Sequence, residues 1–248
     1  MPIKIIPDKK TGLLKTFPKP GQSDSREIHT ADFSKMDYGR WIYLSKKLLS
    51  NLPPDKAGKR LLDVGCGAGF LSFEAKKEGY KVMAIDTSPK AVNFARKKFK
   101  IEAVCISLLE FPSKEKFDVV VLNHVLEHIT GLAPFLNRIK QLLSPNGLLL
   151  IASPNYDNLM RRIFKERWYG LQPTQHVWQF TPETLIPFLE KNGFKLRRNI
   201  PASLDYNPEN KIKKLAFVFL ARFAELINRG DQLIILLEKS SQDSGSNS

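Results

Sequence analysis

The stretch LLDVGCGAGF, residues 61–70, places an apolar run directly before three glycines at alternate positions. The apolar run is typical of a buried strand, and glycine lets a backbone turn sharply and approach a ligand closely. A dinucleotide-binding turn would need a small residue where Phe70 stands, and a P-loop would need Gly-Lys-Ser/Thr after the turn. The stretch therefore predicts a strand followed by a ligand-binding turn of another kind.

This turn opens a regular alternation of strands and helices. RLLDVG, KVMAID and KFDVVVLN have the pattern of strands, and FLSFEAKKEG and SPKAVNFARKKF have the pattern of helices. Alternating elements with short connections predict an α/β fold with a Rossmann-like, mostly parallel sheet and helices on both faces. A helix over residues 38–52 precedes the alternation and ends before Pro53, which cannot continue it.

Composition divides the 248 residues into three parts. Residues 1–37 are rich in Lys, Pro, Gly and Ser and predict an extended lead-in. Residues 38–240 predict the folded domain, with a helical insertion at 208–229, and 241–248 predict a disordered tail. The hydrophobic fraction of 42% is sufficient for one large core.

The two cysteines, Cys66 and Cys105, have neither the spacing of a metal site nor the number that a disulfide framework needs. The N-terminus lacks the apolar core of a signal peptide, and no window has the roughly 18 apolar residues of a membrane span. A cytoplasmic protein is therefore expected.

Two acidic residues stand where the first two predicted strands end. Asp86, at the end of the second strand, can accept two hydrogen bonds from a ribose diol. Asp63, at the mouth of the turn, can face a cationic amino-acid group directly or through water. A positively charged nucleoside without phosphates fits this pair better than a pyrophosphate does.

With these residues the chain resembles the class I S-adenosylmethionine-dependent methyltransferases from about Tyr38 to Lys239. FDVVVLNHVLEHI, LLSPNGLLLIASPN and QHVWQFTPETLIPFLEKNGF are similar to a bacterial branch of small-molecule methyltransferases related to the ubiquinone-pathway O-methyltransferases. The resemblance implies a seven-stranded sheet with its last strand antiparallel, and S-adenosylmethionine as the cofactor. It implies a cofactor site formed by Asp63, Gly65, Cys66, Gly67, Gly69, Asp86, Thr87, Ser107, Leu108 and Asn123. An acidic residue is usual in the family where Ser107 and Leu108 stand.

Methyl transfer depends mainly on alignment, but a hydroxyl acceptor must also lose its proton. His124, Glu127 and His128 share one face of a predicted short helix, and His176 follows a long loop on the acceptor side. We expect Glu127, His128 and His176 to be catalytic; the alternative for Glu127 and His128 is a local hydrogen-bonded pair. In ubiquinone-pathway relatives this motif begins with Glu and is associated with a divalent metal. His124 replaces that first acid here, so no metal ligand is assigned, and metal binding by His124, Glu127 and His128 stays open as a further alternative.

The acceptor itself is left open by the sequence. Aromatic and basic residues of the long loop suit a lipophilic or an anionic small molecule; they are Tyr156, Trp168, Tyr169, Trp178, Arg161, Arg162, Lys165 and Arg167. The alternative is that the aromatic side chains pack the loop onto the domain and the charges are solvated. The net charge of +14 also permits a nucleic-acid substrate. Against this, there is no RNA-binding module and no Asn/Asp-Pro-Pro-Tyr/Phe motif. A small-molecule hydroxyl is favoured, and a binding protein without turnover is the other alternative.

Residues 208–229 combine a broad apolar arc with Lys211, Lys214, Arg222 and Arg229 opposite. This helix has four possible uses: packing against the core, covering the acceptor pocket, forming a homodimer contact, or lying on an anionic membrane.

Overall fold

The computed structural model describes residues 4–18, 32–112, 114–203 and 211–240, without the side chains of residues 34 and 211–214. In chain order the strands of these residues are β1 (Lys4–Pro7), β2 (Leu14–Phe17), β3 (Arg60–Val64), β4 (Lys81–Asp86), β5 (Ala103–Cys105), β6 (Phe117–Asn123), β7 (Leu143–Pro154), β8 (Trp178–Gln179), β9 (Phe194–Ala202) and β10 (Gln232–Lys239). The α-helices are α1 (Tyr38–Leu49), α2 (Phe70–Lys77), α3 (Pro89–Phe99), α4 (Leu132–Leu142), α5 (Leu159–Phe164), α6 (Pro182–Lys191) and α7 (Lys211–Leu226). Short 3-10 helices lie at Phe33–Lys35, Leu126–His128 and Lys165–Arg167.

Within the described residues, seven strands form one sheet in the order β5-β4-β3-β6-β7-β10-β9. Strands β3 to β7 pair in parallel, and β10 is antiparallel to both of its neighbours. The predicted fold is therefore confirmed, including the antiparallel last strand. The strand order changes direction between β3 and β6, which opens a crevice at the carboxyl ends of these two strands.

The sheet separates two apolar layers. Leu62 and Val120 belong to the core on one face, whereas the adjacent Leu61 and Val121 belong to the core on the other. Alternate residues of a strand point to opposite faces, so a strand covered on both sides must be apolar at consecutive positions. This explains the unbroken apolar runs in the sequence.

Local capping residues begin the helices where the sequence predicts them. The Ser88 side chain accepts from the backbone N–H three residues ahead at 3.3 Å and starts α3, with Pro89 in the first turn. Thr181 starts α6 through the same contact at 3.3 Å. Each cap satisfies a backbone donor that the helix itself cannot.

The predicted extended lead-in is wrong for residues 4–17. These residues form a hairpin in which β1 pairs with β2, and β2 pairs in turn with β8. Leu13 and Thr16 are fully buried, and the Thr16 N–H donates to the Val177 carbonyl at 2.9 Å. The composition of this segment does not predict the hairpin, because the hairpin is stabilised by pairing with β8, which is distant in the sequence. Phe33–Lys35, also in the predicted lead-in, form a short 3-10 helix rather than an extended segment. Residues 1–3 and 19–31 of the lead-in and the predicted tail 241–248 lie outside the described residues.

Helix α7 lies within the predicted insertion. The prediction that its apolar arc packs against the core is wrong for three residues. Leu215, Phe219 and Leu226 are 74%, 74% and 81% exposed. Among the side chains of the helix that are described, residues 215–226, Ala224 is the buried one, and Glu225 accepts a hydrogen bond from the Ser203 N–H of the domain. Residues 208–210 and the side chains of residues 211–214, with the predicted basic positions Lys211 and Lys214, lie outside the description. Of the described helices, none has the length and apolar character needed to cross a bilayer.

Candidate active site

The glycine turn directly follows β3 and joins it to the end of β4. The backbone N–H groups of Gly65 and Cys66 both donate to the Ile85 carbonyl, at 2.8 and 3.1 Å. Gly65 has φ +69°, and a Cβ there would lie 2.5 Å from the Val125 side chain. Gly67 has φ +52° and would meet no atom within 4 Å, because it faces open space. The turn thus presents bare backbone to a ligand.

Asp86 holds this turn in place. One carboxylate oxygen accepts from the Gly67 N–H at 2.8 Å, and the other accepts from the Ser88 N–H at 2.8 Å. Each oxygen has two lone pairs, so one on each remains for a diol.

Asp63 is fully buried beside the turn. It accepts a hydrogen bond from the Ser72 hydroxyl at 2.6 Å. Burial raises the pKa of Asp63 to about 6, against the effect of Ser72, and the nearby Asp86 charge raises it further. A cationic ligand would favour the ionised form of Asp63, because opposite charges stabilise each other in a buried site.

A cavity of about 460 Å³ opens at this edge of the sheet. Five predicted cofactor residues line it: Asp63, Gly65, Cys66, Gly67 and Asn123. His128 and His176 line the same cavity. The predicted donor side and the predicted acceptor side are therefore continuous.

The other predicted cofactor residues lie outside this cavity. Asp86 and Thr87 end β4, and Gly69 precedes α2, where a Cβ would lie 2.7 Å from Ala95. After β5, Leu108 is buried in the core. Its side chain is therefore not free to contact a ligand.

Ser107, also after β5, donates to the Glu110 carboxylate at 2.6 Å. This contact brings an acidic group to the loop where the sequence has none at the usual position. Glu110 was missed because it stands three residues beyond Ser107.

The HVLEH motif forms a bend and a short 3-10 helix rather than one helical face. His124 precedes the helix with φ +56°, and its N–H donates to the Ala152 carbonyl at 2.8 Å. Glu127 is buried beneath it and accepts from the Ser153 hydroxyl at 2.9 Å. The other Glu127 oxygen lies 3.3 Å from Nδ1 of His124 but has no hydrogen bond of good geometry. His124 and His128 face the cavity, whereas Glu127 supports them from below.

His128 and His176 come from separate motifs, and the fold brings them together. Their ring centroids are 4.8 Å apart at an angle of 75°. Nδ1 of His128 lies 3.2 Å from the Gln175 carbonyl, and Nδ1 of His176 lies 3.0 Å from the Gly170 carbonyl. A carbonyl can only accept, so each neutral ring carries its proton on Nδ1 and leaves the Nε2 lone pair free.

Burial and charge set the protonation of this cluster. Burial lowers the pKa of His176 to about 4, although the Glu127 carboxylate acts in the opposite direction. Burial raises the pKa of Glu127, but contact with His124 and the positive charges of the three histidines in acid outweigh it and lower the pKa to about 2. At neutral pH the site therefore holds a neutral His176 above an ionised Glu127.

The same cluster has the donor set of a divalent metal site. Ligand atoms of Glu127, His128 and His176 all lie within 4.8 Å of one another. One Glu127 oxygen is buried without a hydrogen-bond partner among the described residues, and both imidazoles are oriented through Nδ1 by a carbonyl. Such orientation is common for metal-binding histidines. The residues present therefore fit a metal ion.

Several cavity residues were missed by the sequence analysis. Arg40 and Trp41 reach the cavity from α1, and Gln172 and Gln232 reach it from the loop and from β10. Arg40 has no ion-pair partner among the described residues. In the sequence Arg40, Trp41 and Gln232 stand near helix or strand ends and Gln172 stands in a loop, and many solvated residues occupy such positions.

Of the four loop aromatics, Tyr169 alone lines this cavity, where its hydroxyl accepts from Gln232 at 2.8 Å. Trp168 and Trp178 are buried, and Trp178 donates to the Ile129 carbonyl at 2.8 Å. Packing of the loop onto the domain is therefore their role. Tyr156 stacks under the Arg161 guanidinium at 4.1 Å.

Residues 38–199 match the family model described as a methyltransferase domain. The chain belongs to this methyltransferase family. The predicted family, the S-adenosylmethionine-dependent methyltransferases, is thereby confirmed.

The methyltransferase is similar to ubiquinone biosynthesis O-methyltransferases. It is 32% identical over 167 residues to that of Rhodopseudomonas palustris strain HaA2, covering 61% of this chain and 64% of the relative. It is 32% identical over 199 residues to the human mitochondrial protein, covering 72% of this chain and 53% of the relative. The chain thus spans less than two thirds of the length of these relatives.

Solved structures show the same fold. An S-adenosylmethionine-dependent methyltransferase from Archaeoglobus fulgidus has a TM-score of 0.60 at 24% identity, covering 80% of this chain and 94% of the other. Magnesium protoporphyrin IX methyltransferase from Synechocystis has a TM-score of 0.58 at 19% identity, covering 88% and 94%.

Replacing Asp86 with Ala is expected to weaken S-adenosylmethionine binding, because the ribose loses its acceptor and the Gly67 N–H loses its partner. Loss of hydrogen bonds to a charged group costs about 1.5–3 kcal/mol, which corresponds to a roughly ten- to hundredfold higher Kd. Calorimetric titration measures this change. Asp55→Ala removes an exposed carboxylate paired with Lys59 and serves as the control. Unchanged affinity in a folded Asp86→Ala protein would contradict the assignment.

Donor binding should also depend on the ionisation of Asp63, whose pKa lies near 6. A cationic donor prefers the carboxylate, so affinity is highest above that pH and falls as the pH decreases through it, by up to about tenfold per unit. Titration calorimetry from about pH 5 to about pH 8 tests this linkage. Asp63→Asn should bind more weakly and lose this step; an identical pH profile in both proteins would disprove the role.

Proposed function

We propose that this methyltransferase transfers the methyl group of S-adenosylmethionine to a hydroxyl oxygen of a lipophilic small molecule. The main support for this proposal is that the glycine turn and the paired His128 and His176 line the same cavity. The ubiquinone biosynthesis O-methyltransferases that resemble this chain support an oxygen acceptor.

The donor is held by groups of opposite charge and by bare backbone. Asp86 accepts from the ribose hydroxyls, and Asp63 faces the cationic methionine portion over Gly65 and Gly67. Arg40, which has no ion-pair partner among the described residues, places its guanidinium in the same cavity wall, where it can bind the methionine carboxylate in bidentate geometry. Asn123 borders this portion from the end of β6.

The adenine lies beyond the turn, on the side of Thr87, Ser107 and Leu108. Thr87 follows β4, and the backbone of Ser107 and Leu108 follows β5. Glu110, which accepts from Ser107, supplies the acidic acceptor suited to an adenine amino group.

Nε2 of His176 or of His128 removes the acceptor proton. Their Nδ1–H groups are held by the Gly170 and Gln175 carbonyls, so Nε2 is the free base in each ring. The acceptor oxygen forms a bond to the methyl carbon while the carbon–sulfur bond breaks. The electron pair of the carbon–sulfur bond stays on sulfur, so the sulfonium becomes a neutral thioether. The Glu127 carboxylate below the pair stabilises the imidazolium that results.

A divalent metal is the second way in which this site can activate a hydroxyl. Glu127, His128 and His176 would hold it, and such an ion lowers the pKa of a bound hydroxyl. His128 and His176 would then act as ligands rather than as bases.

The cavity wall favours an acceptor with an apolar body. Its apolar lining comes from several elements. Helix α1 and the residues before it supply Phe33, Met36, Trp41, Leu44 and Leu48, α2 supplies Phe70 and Leu71, and β10 supplies Ile234. The loop residues Arg161, Arg162, Lys165 and Arg167 lie outside the cavity, where they suit an anionic group on the same molecule.

Cys66 and Cys105 are free thiols, which supports the cytoplasm as the location of the protein. The exposed helix α7 suits either a membrane or a homodimer contact.

His128→Gln and His176→Gln should each lower methyl transfer by roughly 10²–10⁴ if that residue is the base, with donor affinity unchanged. The assay follows S-adenosylhomocysteine release by mass spectrometry with a panel of alkyl-substituted phenols and catechols. Donor affinity and thermal unfolding of each variant are the controls. Full turnover in both variants would limit these residues to structural roles.

Bound metal should be detectable without any assay of activity. If the cluster holds an ion, elemental analysis of the purified protein finds about one divalent metal per chain, and EDTA removes it with a fall in the melting temperature. Glu127→Gln and His176→Gln should each lose the metal, whereas His124→Gln should retain it. Retention of the metal in the first two variants, or no metal after reconstitution, would exclude this alternative.

A further inference from the structure

Helix α1 places two cationic side chains in the wall of the active-site cavity. Arg40 and Lys47 both line the cavity, together with the apolar Leu44 and Leu48. Residues seven positions apart share one face of a helix and lie about 10 Å apart along its axis. Of the described residues that line the cavity, Asp63 alone is acidic, and it is buried beside the glycine turn. The wall therefore carries more positive than negative charge.

The donor accounts for one of these two cations. S-adenosylmethionine carries one carboxylate, which the proposed function assigns to Arg40 in the first turn of α1. The next residue, Trp41, stacks on Phe70 directly after the glycine turn, with ring centroids 6.4 Å apart. Lys47 lies two turns further along the helix. No other anionic group of the donor remains for the Lys47 ammonium.

Lys47 contacts the other end of the sheet. Its Nζ donates to the Ser203 carbonyl at 3.3 Å, and Ser203 directly follows β9. In the order of the sheet, β6, β7 and β10 separate β9 from β3, which the glycine turn follows. Lys47 therefore lies on the side of the cavity away from the donor turn, where the acceptor is expected.

The Lys47 ammonium is held in place and keeps donors for a ligand. An ammonium has three N–H donors, and among the described residues the Ser203 carbonyl uses one of them. Glu225 of α7 lies 4.0 Å from Nζ, which is too far for a hydrogen bond. Its carboxylate instead accepts from the Ser203 N–H at 2.8 Å and pairs with Arg222 at 3.0 Å.

The charge of Lys47 is not cancelled by this neighbour. Lys47 and Arg222 share the single Glu225 carboxylate, so positive charge remains in the described surroundings. The Lys47 side chain is 29% exposed, and the apolar wall around it offers little hydration. An anion that reaches an ammonium in such surroundings is bound more strongly than in water.

We propose that Lys47 binds a carboxylate at the end of the acceptor remote from the reacting hydroxyl, and so selects acidic over neutral acceptors. Ser203 and Glu225 position its ammonium. Leu44 and Leu48 line the cavity on the same helix face and contact the apolar body of the acceptor. That the bound acid is a methyl acceptor rests on the proposed function, whereas binding of the carboxylate does not.

Calorimetric titration of the full chain tests the site with two matched probes, para-butylbenzoate and the neutral para-butylbenzamide. S-adenosylhomocysteine is present at saturation, so its own carboxylate occupies Arg40 and the probes enter the rest of the cavity. The benzoate is expected to bind about tenfold more tightly than the benzamide, because a hydrogen bond between charged groups adds to the apolar contact that both probes make. Lys47→Gln should lose this preference, and Lys47→Arg should keep it.

The adjacent Lys46 gives a matched control on the same helix. Its Nζ is exposed, lies 3.8 Å from the Glu74 carboxylate and is absent from the described cavity wall. Lys46→Gln removes the same charge and should bind both probes like the parent. The proposal would be overturned by equal affinity of the parent for both probes, by no binding of the benzoate at millimolar concentration, or by an unchanged preference in Lys47→Gln.

A variant of Glu225 gives a prediction of the opposite sign. Glu225→Gln keeps an oxygen for the Ser203 N–H but removes the negative charge 4.0 Å from Nζ of Lys47. Benzoate affinity should rise about threefold, as expected for a partly exposed ion pair, and benzamide affinity should stay unchanged. A fall in benzoate affinity would make the ammonium a structural partner of Glu225 and overturn its role toward the acceptor.

These measurements do not require methyl transfer, so the two proposals can fail separately. A benzoate preference that depends on Lys47, without methyl transfer to any phenol or catechol, would contradict the proposed oxygen acceptor and support the carboxylate site. Methyl transfer to neutral phenols without a benzoate preference would support the oxygen acceptor and overturn the carboxylate site.

Discussion

The Asp86 carboxylate is the contact on which the geometry of the site depends. It accepts from the Gly67 N–H after β3 and from the Ser88 N–H before α3, both at 2.8 Å. Charge-assisted bonds of this kind are short and strong, and they hold backbone conformations that the chain would otherwise abandon. The same carboxylate that is expected to bind ribose therefore also builds the turn beneath the donor. Removal of the carboxylate is therefore expected to disturb the backbone of the turn together with the ribose contact.

A chain of backbone hydrogen bonds connects the N-terminal hairpin to the segment that holds the histidine pair. The Thr16 N–H donates to the Val177 carbonyl at 2.9 Å, and the Val177 N–H donates to the Glu127 carbonyl at 2.9 Å. Hairpin, loop and 3-10 helix are thus bonded in sequence, with His176 and His128 beside these bonds. A mobile loop could not keep two imidazoles 4.8 Å apart, so the hairpin acts as a support for the acceptor side.

Local chemistry decided which features could be predicted from the sequence. The caps at Ser88 and Thr181 and the glycine turn depend on residues within a few positions, and each lies where the pattern indicated. The pairing of His128 with His176 depends on tertiary packing, which no local spacing reveals. The hairpin escaped prediction for the same reason, because β2 finds its partner in β8.

The sequence pattern also does not predict which side of the helix in residues 208–229 is exposed to solvent. The apolar arc of residues 208–229 is evident in the sequence, but its period does not tell which side faces the domain. In the structure the small Ala224 faces inward, so the large residues face outward. Leu108 shows the opposite error. The sequence predicts it at the cofactor site, but its side chain is buried in the core.

The apolar wall of the cavity suits the chemistry as well as the acceptor. A deprotonated hydroxyl and a sulfonium carry opposite charges, and both charges disappear as the methyl group moves. Surroundings of low polarity strengthen the attraction between these charges and offer little to the separated ions, so charge neutralisation is favoured there. The charges that remain are fixed around this space: Asp63 is buried beside the glycine turn, Glu127 is buried beneath the histidines, and Arg40 and Lys47 line the wall. Deprotonation and methyl transfer can therefore occur in one apolar space, with each fixed carboxylate opposite the cation that it stabilises.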